Sequence, residues 1–416
     1  MLRTKIFITL FWIFYYAAAQ QGWQNATFKP EIKSLQVICN DNFLSPPVIL
    51  QNSDQTVSIS FDELTDEINW VSYRIIHCDA NWQRSRLSEL EYLDGFNPIP
   101  VENIQSSFNT FVPYYHYMIT LPNEKIRFRK SGNYAVLFFK DENPNDIIAS
   151  ACFSIAEQET EVQANVTTNT DISINGAYQQ VKIRLQWRNA FLLNPADELK
   201  VVVSQNNRRD NEVIVNHPTR FSANQAIYEH NRALIFEAGN NYRRFEITNH
   251  RYAGMGVEKI RYFESSYHVL LTPVFPRAKQ PYYYDLDQNG KYVIRKTETE
   301  NQETEADYFM VHFNLNDDNP FIEGNIYLSG DFVQNRFTDE SKMIYNFERK
   351  RYENMLLLKQ GHYNYQYLFV PKGSGKGSPA MMEGNFSETG NEYLIKVYHC
   401  PPGQRYDRLI GYDIVS

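Results

Sequence analysis

The densest run of reactive side chains is His77-Cys78-Asp79, an imidazole, a thiol and a carboxylate in succession. Such a trio could ligate a metal ion or relay a proton. It closes the apolar run Val71–Ile76, which reads as a strand, and neighbouring strand residues point to opposite faces. Only His77 and Asp79 could therefore share an ion. No second cluster completes a ligand set, because the nine histidines are scattered and neither HExxH nor CxxC occurs. No metal site is expected. The stretch KGSGKGSP at 372–379 invites a phosphate-cradle reading, but GxxxxGK[ST] would need Gly at 370 and Ser or Thr at 377, where Val370 and Gly377 stand. A flexible hairpin loop is expected there instead, and no cofactor.

Nucleophilic chemistry finds no mounting either. There is no GxSxG elbow, and Ser374 lies between two glycines. Carboxylate pairs such as Asp62/Glu63, Asp66/Glu67, Glu89/Glu91 and Asp317/Asp318 could serve a glycosidase. Among 49 acidic residues, such pairs are expected on any solvated surface. The chain is read as a non-enzyme. Its informative segments are polar-aromatic loops: 80–97 (ANWQRSRLSELEYLDGFN), 249–263 (NHRYAGMGVEKIRYF) and 273–285 (PVFPRAKQPYYYD). Exposed Trp, Tyr and Arg form interface hot spots. Trp82, Arg84, Tyr92, Tyr282, Tyr283 and Tyr284 are accordingly the expected partner contacts, with the alternative that Trp82, Leu87 and Phe96 fold back onto their own core.

The elements that would hold these loops are strands. Val181, Ile183, Leu185 and Trp187 alternate with polar residues, as do Phe309, Val311, Phe313 and Leu315, and Tyr267, Val269 and Leu271. Helical periodicity is confined to stretches such as Ser88–Leu93. The expected class is mainly β, with tandem immunoglobulin-like or early-set antiparallel β-sandwiches. Composition shifts set the expected boundaries at 20–157, 158–297 and 306–416, with 298–305 as an acidic linker. Residues 1–19 combine Arg3 and Lys5, an apolar run and Ala17-Ala18-Ala19, the parts of a secretory signal peptide. The expected protein is exported and soluble. Its charge of −8 argues against nucleic acid, and no segment is apolar enough for direct membrane insertion. Cys39, Cys78, Cys152 and Cys400 could pair or remain buried thiols, and their spacing does not decide.

Several long motifs are recognisable together: Tyr73-Arg74-Ile75-Ile76-His77-Cys78-Asp79-Ala80-Asn81-Trp82, then Glu91-Tyr92-Leu93-Asp94-Gly95-Phe96-Asn97, Leu121-Pro122-Asn123, Ser131-Gly132-Asn133-Tyr134 and Gly403–Tyr412. With these the chain resembles the plug proteins of the Bacteroidetes type IX secretion system. The resemblance implies a periplasmic protein that binds the inner mouth of a giant outer-membrane translocon barrel and occludes its pore when no substrate is leaving. A second likeness, through Asn325–Phe332, Met343–Tyr345 and Gly361–Tyr367, is to the early-set sandwich of glycogen-binding modules. The alternative it implies is a periplasmic carbohydrate-binding or glycan-processing accessory protein. Against that, Asn335-Arg336-Phe337 stands where a tryptophan is expected, and no Trp follows Trp187.

Overall fold

The computed structural model describes residues 22–141, 143–187, 192 and 194–416; the expected signal peptide lies outside the described residues. The chain is mainly β, with several antiparallel sheets and, among the described residues, only short helical turns. One turn, Glu89–Tyr92, starts at Ser88, whose backbone N–H donates to Glu91 Oε2 at 2.8 Å in a capping box.

The sheets face one another in pairs. In the first, the sheet containing Ile32–Cys39, Val57–Glu63, Tyr115–Leu121 and Asn103–Ser106 lies over one centred on Gly132–Lys140, which pairs with Val71–Cys78 and Ile147–Ala156. Phe61 stacks on Tyr117 at 5.1 Å and meets Phe138 edge-on at 5.0 Å in the core between them. Gly132–Lys140 reads without alternation because both its faces are covered. Tyr134, Val136 and Phe138 face that core, while Ala135 and Leu137 join a second cluster with Ile76, Cys78, Trp82 and Cys152.

The second pair sets the sheet of Tyr178–Trp187 against the sheet of Leu199–Gln205. Val181, Ile183, Leu185 and Trp187 are buried as their alternation predicts. Strand pairing here crosses the expected boundaries. Tyr393–His399 pairs with Leu199–Gln205 over seven residues, and Arg408–Val415 lies beyond it. The last two strands of the chain thus complete the second core, where Tyr393, Ile395, Val397 and Ile410 meet Val201 and Val203. Conversely, Arg243–Ile247 and Tyr292–Ile294, placed by composition before 297, pair with Gly361–Pro371, and Val257–Phe263 and Ser266–Leu271 join Tyr308–Asn316 and Arg351–Lys359; these two sheets share a core and form the third pair. The 298–305 stretch sends its acids to solvent but docks by its backbone: Thr304 O accepts from Phe108 N at 2.9 Å, and Glu303 O accepts from Lys359 Nζ at 2.6 Å. It is a strap. Composition reports solvation of side chains, and these contacts use carbonyls.

Buried polar bridges lock the three sheet pairs together. Between first and third, Asp62 accepts from Lys359 Nζ and Tyr308 Oη, both at 2.6 Å, and from His116 Nδ1 at 2.7 Å. Asp62 and Glu63, expected on a solvated surface, are both buried. Glu63 is neutralised by Lys140 Nζ at 2.8 Å. Between first and second, Asp407 accepts from Ala80 N at 2.9 Å and Lys200 Nζ at 2.8 Å, and Tyr398 Oη donates to Asn133 at 2.7 Å. Between second and third, Gln179 Nε2 donates to Ser387 O and Thr389 O at 2.8 Å, and Arg208, paired with its neighbour Asp210 at 2.6 Å, donates across to Gly377 O at 2.8 Å. Each bridge satisfies polar groups that burial would otherwise penalise.

Candidate interaction surface

The inward parity of the strands Ser266–Leu271, Tyr308–Asn316 and Arg351–Lys359 fills the third core with Val269, Leu271, Phe309, Val311, Phe313, Leu315, Leu356 and Leu358. The other parity must then face outward. It presents His268, Leu270, Met310, His312, Glu353 and Met355 to an open groove of about 1300 Å³. The sheet is completed by Val257–Phe263 at one edge and Ile344–Asn346 at the other. Phe263, Ile344 and Met355 leave 58%, 61% and 49% of their surfaces exposed around the groove. Exposed apolar side chains grouped in this way mark a candidate interaction surface.

At the groove's centre, His268 Nδ1 and His312 Nε2 are 2.9 Å apart, and His268 Nε2 is 3.0 Å from Ser266 Oγ. Burial, then the neighbouring His268, pushes the His312 imidazole below its ordinary range, so this ring is neutral at pH 7. The series resembles a nucleophile, a base and an orienting group. The Ser266 hydroxyl also lies 3.3 Å from Phe263 O, which can accept from it, and the His268–Ser266 contact takes its polarity from the imidazole tautomer. The relay fixes the two rings.

Charge around the groove is unbalanced. Lys33, Arg261, Lys342, Arg349 and Arg351 face it with only Asp339, Glu340 and Glu353. Lys33 pairs with Glu340 at 2.5 Å, and Arg349 and Arg351 share Glu353 at 3.2 and 2.5 Å. Among the described residues, Arg261 and Lys342 take no carboxylate partner. Beside the groove, the hairpin Val257–Phe263/Ser266–Leu271 turns its other face to the first sheet pair. There Phe111 meets Tyr267 at 5.0 Å and Tyr262 at 5.9 Å, and Tyr267 continues to Phe309 at 5.2 Å. Asp307 holds the Phe111 loop by accepting from Phe111 N at 2.7 Å and Val112 N at 3.2 Å.

The six expected contact residues do not come together. Trp82 is 4% exposed, held in the junction with the second sheet pair between Arg209 at 4.6 Å and Lys396 at 4.8 Å from its ring centroid. Tyr92 is buried too, its hydroxyl donating to Ile75 O at 3.2 Å. Both are internal anchors because strands distant in sequence close over them. Leu87 is buried with them, but Phe96 is exposed. Tyr282 is half-buried and donates to Asn241 Oδ1 at 2.7 Å, while Arg84, Tyr283 and Tyr284 are exposed. His77 is a core residue: its Nε2 donates to Ser131 O at 3.0 Å, Tyr134 meets it edge-on at 5.0 Å, and burial pulls its pKa down to about 4. Among the described residues no three His, Cys, Asp or Glu side chains gather as a metal-binding group, and all four cysteines are free thiols. No helix among the described residues is long and apolar enough to cross a membrane. The stretch 372–379 is a loop whose Gly377 N donates to Asp210 Oδ2 at 2.9 Å.

The groove residues went unnoticed in the sequence although a signal existed. Once Phe309, Val311, Phe313 and Leu315 are assigned inward, Met310 and His312 must point outward, and a methionine and a histidine are unusual choices for a solvated face.

Comparison with known proteins adds four findings. Residues 32–157 match the family model described as type 9 secretion system plug protein, first domain. The chain is similar to a hypothetical protein from Parabacteroides merdae ATCC 43184, solved by crystallography at 2.30 Å, with 42% identity, coverage of 95% of this chain and 100% of that one, and a TM-score of 0.93. An alkylpurine DNA glycosylase from Pseudomonas fluorescens, 11% identical over 30% of each chain at a TM-score of 0.16, is too dissimilar to bear on fold or function. No curated protein matches.

Proposed function

Since this chain belongs to the type 9 secretion system plug protein family, we propose that it is a non-enzymatic periplasmic stopper that seats on the periplasmic mouth of the giant translocon barrel and occludes the pore when no substrate is leaving. It is exported by its signal peptide and associated with the outer membrane through its partner. We read its sheet pairs as immunoglobulin-like sandwiches, the third of the early-set kind. The observation that carries the reading is the three-way locking of the sheet pairs by buried polar bridges, above all Asp62 with Lys359, His116 and Tyr308. A stopper must resist deformation by a solute-filled pore, and a body whose parts cannot slide does so without turnover. Arg84, Tyr283 and Tyr284 are candidate seating contacts, with Tyr282 bracing that loop; Trp82 and Tyr92 support the surface from within. The glycan alternative gains nothing from its expected binding position, where Phe337 packs on Tyr327 at 5.2 Å.

The test is purification of the tagged mature chain from native envelopes in mild detergent. The expected result is recovery of a very large outer-membrane barrel near stoichiometry. Recovery of the chain alone, or with glycan-uptake proteins, would reject the proposal. In cells, deletion of the gene should admit large antibiotics only where the barrel is present.

A further inference from the structure

We propose that the outward face of the five-stranded sheet built from Val257–Phe263, Ser266–Leu271, Tyr308–Asn316, Arg351–Lys359 and Ile344–Asn346 receives an extended, acidic, apolar-bearing segment of the translocon barrel; this rests on the reading given above. Three observations select that occupant. The first is charge. The groove carries five cations against three acids in a protein of net charge −8, and Arg261 and Lys342 are left without carboxylate partners among the described residues. Unpaired cations at the lip of an apolar trough attract and orient an acidic partner and disfavour a basic one.

The second is chemistry. Phe263, Ile344 and Met355 lie exposed beside the groove, while His268, Leu270, Met310 and His312 make its floor. An occupant must therefore offer apolar side chains to the floor and carboxylates to the lip. The third is shape. Five strands at about 4.8 Å spacing make a floor roughly 20 Å across, which suits an extended segment of about six residues. Addition of a strand to the sheet's edge is disfavoured, because Val257–Phe263 carries exposed Lys259 and Arg261 and its register breaks between Val257 and Lys259. The segment lies across the face.

The test uses the full mature chain and purified barrel. Wild type, Arg261→Glu/Lys342→Glu and a control that reverses two exposed charges elsewhere, Arg127→Glu/Arg232→Glu, are compared for affinity at low and high salt, the control being expected to bind as wild type does. The expected result is at least about a tenfold weaker Kd for the charge-reversed variant at low salt, with the gap narrowing near about 0.5 M salt as the charges are screened. Arg261 is exposed and Lys342 half-buried, and an unchanged melting temperature will establish that the variant is folded. Should it melt early, Arg261→Gln/Lys342→Gln is the substitute, with a smaller but still salt-dependent loss expected. If wild type binds and the charge-reversed variant binds equally well, this inference fails while the stopper reading stands. If wild type does not bind, both fail. Light scattering that shows a dimer in wild type and a monomer in the charge-reversed variant would assign the face to a second copy and overturn the inference.

Discussion

Removing either partner of the Asp62–Lys359 bridge should cost far more than a surface ion pair would. Both side chains are buried, and the 2.6 Å contact joins positions 297 residues apart in the first and third sheet pairs. In Lys359→Met the Asp62 carboxylate keeps only His116 and Tyr308. In Asp62→Asn the Lys359 ammonium keeps the Glu303 carbonyl and the Tyr114 ring, 4.2 Å from Nζ. Breaking a buried pair from one side costs about 3–5 kcal/mol, because the other charge stays desolvated. With an unfolding entropy of about 2 cal/mol/K per residue, a loss of about 4 kcal/mol across a chain of this length lowers Tm by about 5 °C. The double variant removes both charges, so its loss should fall short of the sum of the singles by about 2–3 kcal/mol. Burial pushes the Asp62 carboxyl up, but Lys359 and His116 outweigh it and leave the group below its ordinary 3.8. A depressed carboxyl stabilises the fold fully above the unfolded value, and the contribution is lost as pH falls through the folded one. The gap between wild type and Asp62→Asn should therefore be complete at neutral pH and shrink only below 3.8. Thermal melts of the four proteins by circular dichroism supply every term. Singles that each lose less than about 1 °C, or losses that simply add, would refute the claim that this bridge locks the two bodies.

Three further outcomes are expected. His77 resists protonation down to about 4 while the unfolded chain accepts it near 6.5, so stability should fall between those pH values by up to about 3 kcal/mol; urea midpoints at pH 7 and 4.5 measure this, and His77→Phe should flatten the difference. Burial pulls Lys396 down to about 8 from 10.5, so its ammonium is carried at a cost at pH 7, and Lys396→Met should raise stability by about 1–3 kcal/mol in a denaturant titration despite the loss of its contact with Trp82; a destabilised variant would mean that the contact outweighs the desolvation. Burial pushes the Cys39 and Cys152 thiols up to about 12, so a thiol reagent at pH 8 should label half-buried Cys400 first and reach Cys39, Cys78 and Cys152 only on unfolding, by mass spectrometry.

Much of this protein was legible residue by residue. The alternation of Val181 to Trp187 and of Phe309 to Leu315 assigned each side chain to a face, because a strand's period of two is a property of the local backbone. By the same rule His312 and Met310 were already committed to the outside, and the helical turn within Ser88–Leu93 was legible from its periodicity. What the strand pattern cannot carry is the identity of the neighbour. Tyr393–His399 could pair with any strand of matching parity; it joins Leu199–Gln205, nearly two hundred residues earlier, where Tyr393, Ile395 and Val397 complete the second core. Trp82 looked like a contact until Arg209 and Lys396 closed over its ring, and Asp62 looked solvated until Lys359 arrived from the third body. Local sequence set which face each side chain would take. Only the long-range pairing of strands, whose loop-closure cost grows slowly with separation and so leaves many partners open, decided which faces became cores, which became junctions, and which stayed open.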